Sequence, residues 1–239
     1  MCGRFVSRTE AAMERSWDLI RPPVPFESYN VAPTRSVPVI RVGENGRECV
    51  LARWGLIPTW AKDRAIGYKT FNARLETAAS KPVFRAAFKR RRCVFPVVGF
   101  YEWRRAGKSK QPMFIHAASG AQLALAGLWD RWVDASSGEV VESAAILTTA
   151  ANAFMRAIHD RMPVILSDAQ IAPWLARAEV QVGDTAGDGH DEEPGADVLC
   201  LGPCAEEMLA AYPVSARVNN ARNDDPSNIE PLLADPASV

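Results

Sequence analysis

The sequence predicts one α+β domain built on a largely antiparallel sheet or barrel. Chain length is the first reason: 239 residues, 48% hydrophobic and 23% charged, describe an ordinary globular chain able to bury a sizeable core. The second is a series of apolar runs, CVFPVVGFYEW, PMFIHA, LALAGLWDRW and VVESAAILTTA, rich in β-branched and aromatic residues and separated by turn residues. Third, these runs do not alternate with helical stretches as βαβ units would, so a parallel sheet is not expected.

In chain order, Thr9 is placed to cap a helix from Glu10 to about Ile20, stopped by Pro22-Pro23. Residues 37–42 and 48–54 read as strands around the turn-like Gly43-Glu44-Asn45-Gly46. Phe71 to Glu76 reads as extended chain. Ser80 precedes KPVFRAAFKR, a short basic helix with Pro82 in its first turn. After the four apolar runs, ANAFMRAI reads as a helix, MPVIL as a short strand and Asp168 onward as another helix. Residues 179–197 are acidic, Gly-rich and poor in apolar side chains, which reads as a mobile surface insertion. The expected organisation is one domain over 1–232, with 233–239 as a tail.

Several classes are excluded by composition. No stretch approaches the roughly 20 apolar residues of a membrane span. MCGRFVSRTE lacks an apolar h-region, so no secretory leader is expected. Five Cys without framework spacing fit reduced thiols and a cytoplasmic protein, nucleoid-associated if bacterial. Cys200 and Cys204 have no matching second pair, so neither a metal nor a cofactor is expected. Zero net charge hides an asymmetry: residues 1–110 carry 22 Lys and Arg against 9 Asp and Glu, and residues 111–239 carry 6 against 19. A basic half fits a polyanion-facing surface; two faces that neutralise each other on folding fit equally well.

Cys2 is the first candidate for chemistry. Once Met1 is lost, residue 2 carries a free α-amine, with a reference pKa of about 7.7–8.0, beside its thiol. Such a 1,2-aminothiol condenses with an aldehyde to an imine, and the sulfur then closes a five-membered thiazolidine. A frayed terminus with an inert Cys is the bland alternative. Gly3 allows close backbone approach, and Arg4 offers a guanidinium suited to phosphate. In an extended chain Asn72, Arg74 and Glu76 project to one face at period two, as a recognition strip or a structural Arg–Glu pair. Glu102, in Phe100-Tyr101-Glu102-Trp103, follows an apolar run where a carboxylate suits general acid–base work, or else faces solvent on an edge strand. His159 lies at a helix-to-strand junction with Arg161 two positions on; imidazole changes charge in the physiological range. Trp54 and Trp60, in WGLIPTW, could stack on bases, although core packing is the default for Trp.

MCGR at the start, YNVAP at 29–33, WGLIPTW at 54–60, FNARLET at 71–77, VVGFYEW at 97–103, TTAAN at 148–152, IHDRMPVIL at 158–166 and PVSARVN at 213–219 together resemble the SRAP (SOS-response-associated peptidase) family. The blocks occur in the family's order and span nearly the whole chain. The resemblance implies a single SRAP-type domain with a barrel-like β core flanked by helices and a positively charged DNA channel. It implies a sensor of abasic sites in single-stranded DNA that crosslinks covalently to the lesion through Cys2, shielding it during the DNA damage response. Asn72, Glu102 and His159 become the polar groups of the active site, and Arg4, Arg74 and Arg161 phosphate contacts, with Trp54 as a base-stacking candidate. The expected partner is single-stranded DNA containing abasic sites, with no membrane, and the chain is expected to act as a monomer. The imine could instead β-eliminate, which adds weak lyase activity. The peptidase label fits self-removal of Met1, although an ordinary aminopeptidase would suffice.

Two rivals stand beside this reading. Glutamine-dependent N-terminal-nucleophile amidotransferases also begin Met-Cys-Gly, but they are usually fused to a synthase domain and lack IHDRMP. A non-catalytic single-strand binder would use the basic half and the tryptophans, and would leave a buried Glu102 and His159 without purpose.

Overall fold

The computed structural model describes residues 2–107, 109–176, 179–182 and 198–232. Its strands are β1 (Phe5–Arg8), β2 (Glu27–Val31), β3 (Ser36–Val42), β4 (Arg47–Trp54), β5 (Asn72–Arg74), β6 (Arg92–Val97), β7 (Gly99–Ala106), β8 (Ser109–Ala117), β9 (Leu123–Val133), β10 (Val140–Ala150), β11 (Arg161–Pro163), β12 (Ile165–Leu166), β13 (Glu179–Val182), β14 (Val198–Leu201) and β15 (Leu209–Pro213). The helices are short: α1 (Met13–Ser16), α2 (Leu75–Ala78), α3 (Arg85–Arg90), α4 (Ala153–Arg156) and α5 (Asp168–Leu175).

Five strands close on themselves. β3 pairs with β4, β4 with β10, β10 with β9, β9 with β6, and β6 returns to β3 through Ile40 and Val94. Closure leaves this ring without an exposed edge. Every pair in it is antiparallel except β4–β10. The predicted α+β class with a largely antiparallel, barrel-like core is the architecture observed.

β6 and long runs of β9 and β10 are buried on both faces, which is why these strands read as continuous apolar runs rather than as an alternation. Period-two alternation sends Val94, Ala124, Ala126 and Leu128 to one side, where Phe84, Phe88 and Trp174 from α3, α5 and their approaches cover them. Cys93, Phe95, Leu125, Ala144 and Ile146 face the other side and pack against Phe5, Phe100 and Ile115. Those three belong to a second sheet of order β15-β8-β7-β1-β2.

The run CVFPVVGFYEW, one apolar stretch in sequence, divides between the two layers. Residues up to Val97 belong to the ring, and from Gly99 the chain is β7 of the second sheet. Gly99 permits this switch, because a Cβ there would lie 2.5 Å from both Ile115 O and Phe114 Cζ.

Other elements depart from expectation. The Glu10–Ile20 helix shrinks to α1, without a side-chain cap. Thr9 turns instead to the segment leading into β2: its hydroxyl donates to Val24 O at 2.7 Å and accepts from Phe26 N–H at 2.8 Å. Phe71 to Glu76 is extended only as far as Arg74, and Leu75 begins α2 with Glu76 in its first turn, so the period-two strip is cut at two residues. The basic helix starts at Arg85 rather than near Lys81. Within the acidic segment 179–197, residues 179–182 form β13, paired in parallel with β14, while 183–197 and the tail 233–239 lie outside the described residues. Charge segregation along the sequence is partly cancelled in space: Arg35–Asp224, Arg41–Glu142, Arg64–Glu139 and Arg91–Asp130 each join a cation of the first half to an anion of the second.

Gly99→Ala is expected to cost about 1–3 kcal/mol, the usual range for overpacking, because a backbone oxygen and a buried ring cannot both yield. Urea denaturation reads it as a lower midpoint at unchanged slope; an unchanged midpoint would show that β8 gives way freely.

Candidate functional site

β1 is a central strand of its sheet, paired with β2 on one side and β7 on the other. Phe5 faces Phe100, and Tyr101 N–H donates to Arg4 O at 2.9 Å. Continuing this antiparallel register puts Gly3 opposite Glu102 and Cys2 just beyond it. Both Cys2 and Glu102 are buried, at 0% and 2% exposure. Burial, and then the charge of Glu102, push the Cys2 thiol well above the usual range, against the smaller pull of the Arg4 backbone N–H. The sulfur is therefore held as a thiol at neutral pH.

Asn72 approaches from the ring. β5 lies along β10, with Asn72 beside Ile146 and Arg74 beside Thr148. Asn72 Nδ2 donates to Cys2 O at 2.7 Å. Its Oδ1 is buried and has no hydrogen-bond partner among the described residues. A buried acceptor without a donor is uncommon and marks a place for one.

His159 arrives from the opposite edge of the same strand. β11 pairs with β10, placing Arg161 opposite Ala150. α4 is capped by Asn152, whose Oδ1 accepts Met155 N–H at 2.9 Å; Met155 O then accepts His159 N–H at 2.8 Å. His159 Nδ1 accepts Arg161 N–H at 3.0 Å and lies 2.8 Å from Asp160 Oδ1. The two contacts fix the orientation of the ring just before β11.

The arginines differ from one another. Arg74 is exposed at the end of β5. Arg4 Nη1 donates at 2.9 Å to both Asn30 Oδ1 and Val218 O. Arg161 grips Glu76 with both Nη atoms, at 2.6 and 3.0 Å, and donates to Thr148 O at 2.7 Å. The fork expected on a phosphate is thus occupied by a carboxylate, and the structural Arg–Glu pairing joins Glu76 to Arg161 rather than to Arg74.

Trp54 is a correction. It is 0% exposed, donates from Nε1 to Phe71 O at 2.9 Å, and packs on Phe5 with ring centroids 4.7 Å apart. An indole sealed in the core cannot stack on a base. The exposed aromatics lie in the following loop, residues 55–70, where Trp60 and Tyr68 are 60% and 62% exposed. This loop is pinched shut at its base: a Cβ on Gly55, which has φ of +137°, would run into Gly67 O, and Thr70 Oγ1 donates to Leu56 O at 2.6 Å. Arg53 lies over the Tyr68 ring, and Lys62, Arg64 and Lys69 are exposed around it.

A cavity of about 890 Å³ between α1, the β8–β9 turn and α5 is lined by Met13, Trp17, Ser119, Leu166 and Asp168 among others, and by none of the candidate residues. Among the described residues no cluster of three or more His, Cys, Asp and Glu side chains could hold a metal, and no helix is long and apolar enough to cross a membrane.

The profile of the SOS response associated peptidase family matches residues 1–221. This chain belongs to the SRAP family. A relative from Bacillus subtilis, the abasic site processing protein YoqW, is 39% identical over 96% of this chain and 99% of its own. The abasic site processing protein HMCES of Xenopus tropicalis is 35% identical over 86% of this chain and 66% of its own. A crystal structure of a Bacteroides thetaiotaomicron protein superposes with a TM-score of 0.79, at 26% identity, over 97% of this chain and 100% of that one.

In this SRAP domain, Cys2, Asn72 and Glu102 come together, while His159, Arg161, Glu76 and Thr148 form the adjoining edge. Sequence reasoning missed the hydrogen bonds that Thr148 and Asn30 make to these arginines. Asn30 sits in the quoted YNVAP block, but no spacing rule links residue 30 to residues 4 and 218.

Truncation separates the two tryptophans. Trp54→Ala is expected to cost about 3–5 kcal/mol of unfolding free energy, and Trp60→Ala to stay within about 0.5. Equal costs in urea titration would contradict their assignment to core and surface.

Proposed function

We propose that Cys2, freed of Met1, captures the ring-opened aldehyde of an abasic site in single-stranded DNA. The observation that carries this reading is the treatment of residue 2. A side chain next to a chain terminus is buried, its carbonyl is bonded by Asn72, and a carboxylate faces its thiol. Terminal residues are ordinarily frayed, so this much order requires a use. The names of the relatives supply the substrate class.

Hydrolysis of the Met1–Cys2 bond exposes the α-amine. The amine adds to the deoxyribose C1′ aldehyde and water leaves, giving an imine. The Cys2 sulfur then adds to the imine carbon, and its proton passes to the nitrogen, which closes the thiazolidine. Because Glu102 and burial keep the sulfur protonated, the amine attacks first and the thiol closes second. Glu102 handles protons on the amine and imine. His159, its ring held by the Arg161 N–H and beside Asp160, assists opening of the cyclic hemiacetal. Asn72 Oδ1 accepts from the Cys2 amine or from a sugar hydroxyl. Arg4 and Arg74 contact flanking phosphates, which fixes position without reading sequence. Arg161 holds Glu76 and the His159 turn in place. Trp60, rather than Trp54, offers its face to a base. Crosslinking by this route shields the lesion, and β-elimination from the imine is its side reaction.

An oligonucleotide bearing one abasic site tests the chemistry in a denaturing gel. Cys2→Ala is expected to abolish the denaturant-stable adduct, whereas Cys2→Ser keeps an imine that borohydride traps. Undiminished adduct with the Ala variant would overturn the mechanism. In single-turnover measurements at saturating protein, His159→Ala is expected to slow adduct formation about 10²–10⁴-fold, with affinity for intact single-stranded DNA unchanged. Formation at the parent rate would return His159 to a structural role.

A further inference from the structure

The C-terminal segment of the described chain lies along the outer edge of β2 and is fastened there by buried polar groups. Asn30, on β2, is fully buried. Its Nδ2 donates to Val218 O at 3.2 Å, Asn220 O at 3.1 Å and Asn223 O at 2.7 Å, and its Oδ1 accepts from Arg4 Nη1 at 2.9 Å. One residue before it, Tyr29 N–H donates to Asp224 Oδ1 at 2.6 Å, and Ser28 and Arg35 also bond the Asp224 carboxylate. The segment closes on itself through Leu232 N–H to Pro213 O at 2.9 Å and Asn228 Nδ2 to Asn223 O at 2.6 Å. It forms a strap three of whose carbonyls, those of Val218, Asn220 and Asn223, converge on one amide.

Arg4, just before β1, reaches into this strap with hydrogen bonds, and Val6 of β1 joins Val218 in one buried apolar cluster. Arg4 Nη1 bridges Asn30 Oδ1 and Val218 O, and the Arg4 backbone oxygen is held by Tyr101 N–H. The path from strap to Asn30 to Arg4 therefore consists of direct hydrogen bonds, and from Arg4, whose backbone Tyr101 holds, the chain itself reaches Cys2 two residues away. Asn72 secures only the carbonyl side of residue 2.

We infer that Asn30 is a positioning residue: together with the strap 215–229 it locks Arg4, and through Arg4 it fixes the terminal nucleophile. The physical need is entropic. A chain end reverts to many conformers unless tied, and a reacting group displaced by an ångström loses much of the advantage of orientation. An amide suits the post because it accepts from the guanidinium with one end and donates to the strap with the other. Aspartate would face three carbonyl oxygens with like partial charge.

The inference rests on Cys2 being the reactive residue, and its test reads the order of the N-terminus independently of DNA. Iodoacetamide labelling of the purified full chain, resolved by peptide mass spectrometry, gives the alkylation rate of Cys2, with exposed Cys200 as the internal reference. Asn30→Ala is expected to raise the Cys2 rate by about tenfold or more, in keeping with a lost hydrogen bond to a charged group, and to leave Cys200 unchanged. Arg4→Met removes the bridge from its other end while keeping an unbranched side chain at this partly buried position, and is expected to give the same rise. The double variant is expected to add nothing further, since both act through one contact. Where Asn30→Ala fails to fold, Arg4→Met alone decides. An unchanged Cys2 rate in the folded variants, or additive effects in the double variant, would overturn the inference. Failure of the parent chain to form an adduct with abasic DNA would instead refute the proposed reaction and leave the labelling result standing on its own.

Discussion

Residues at a chain end have nothing on one side to hold them, and the folding of this protein is organised around that deficit. β1 begins at Phe5 and is inserted between β2 and β7, so the N-terminal strand is paired along both edges rather than added at a margin. Phe5 then packs between Trp54 and Phe95, with ring centroids 4.7 and 6.3 Å away. Releasing the first few residues would expose these rings and break pairings on two strands. That coupling gives residue 2 a defined place, and every distance measured from Cys2 follows from it.

The second organising element is β10, which pairs with β4, β5, β9 and β11. It belongs to the closed ring over its first part and carries β5 and β11 on opposite edges over its last. Asn72 and the His159 turn come from segments about ninety residues apart, and this shared strand sets their separation. Arg161 clamps the arrangement: it binds Glu76, which follows β5, and the backbone of Thr148 on β10. A partly buried, bidentate pair of this kind contributes more to geometry than to net stability, because desolvation offsets much of its attraction.

Buried polar groups tie the loops to the sheets. Glu102, Asn30 and Asn152 are buried at 8% exposure or less, and the last two are each engaged with carbonyls or amides of segments far away in sequence. Such networks are costly unless satisfied, so they specify one arrangement of the loops that supply their partners. Basic side chains from the first half meet acidic ones of the second at several such points. The charge asymmetry of the sequence therefore serves the fold as well as any surface that faces a polyanion.

Much of this was legible without coordinates. Strands β6, β9 and β10 announced themselves because burial on both faces demands uninterrupted apolar runs, and the candidate residues Cys2, Asn72, Glu102 and His159 stood out as polar groups in or beside such runs. Local rules failed where a distant partner outbid a near one. Thr9 was read as a helix cap but bonds the chain at Val24 and Phe26, and Trp54 was read as a stacking candidate but fills the core beside Phe5. Glu76 was aligned with Arg74 by period-two counting, yet the chain turns into α2 and Arg161 takes its carboxylate. The edge strands β2 and β15 carry weak patterns, since half their residues face solvent or loops. By itself, then, the sequence determined the α+β class, the stretches that become the ring strands and the identity of the chemical groups, because these depend on hydrophobic period and residue type. Only the tertiary structure decided which groups meet: the contacts of Cys2 with Asn72, of Arg161 with Glu76 and of Arg4 with Asn30 span 70, 85 and 26 residues, and no local spacing encodes a closure between segments so far apart.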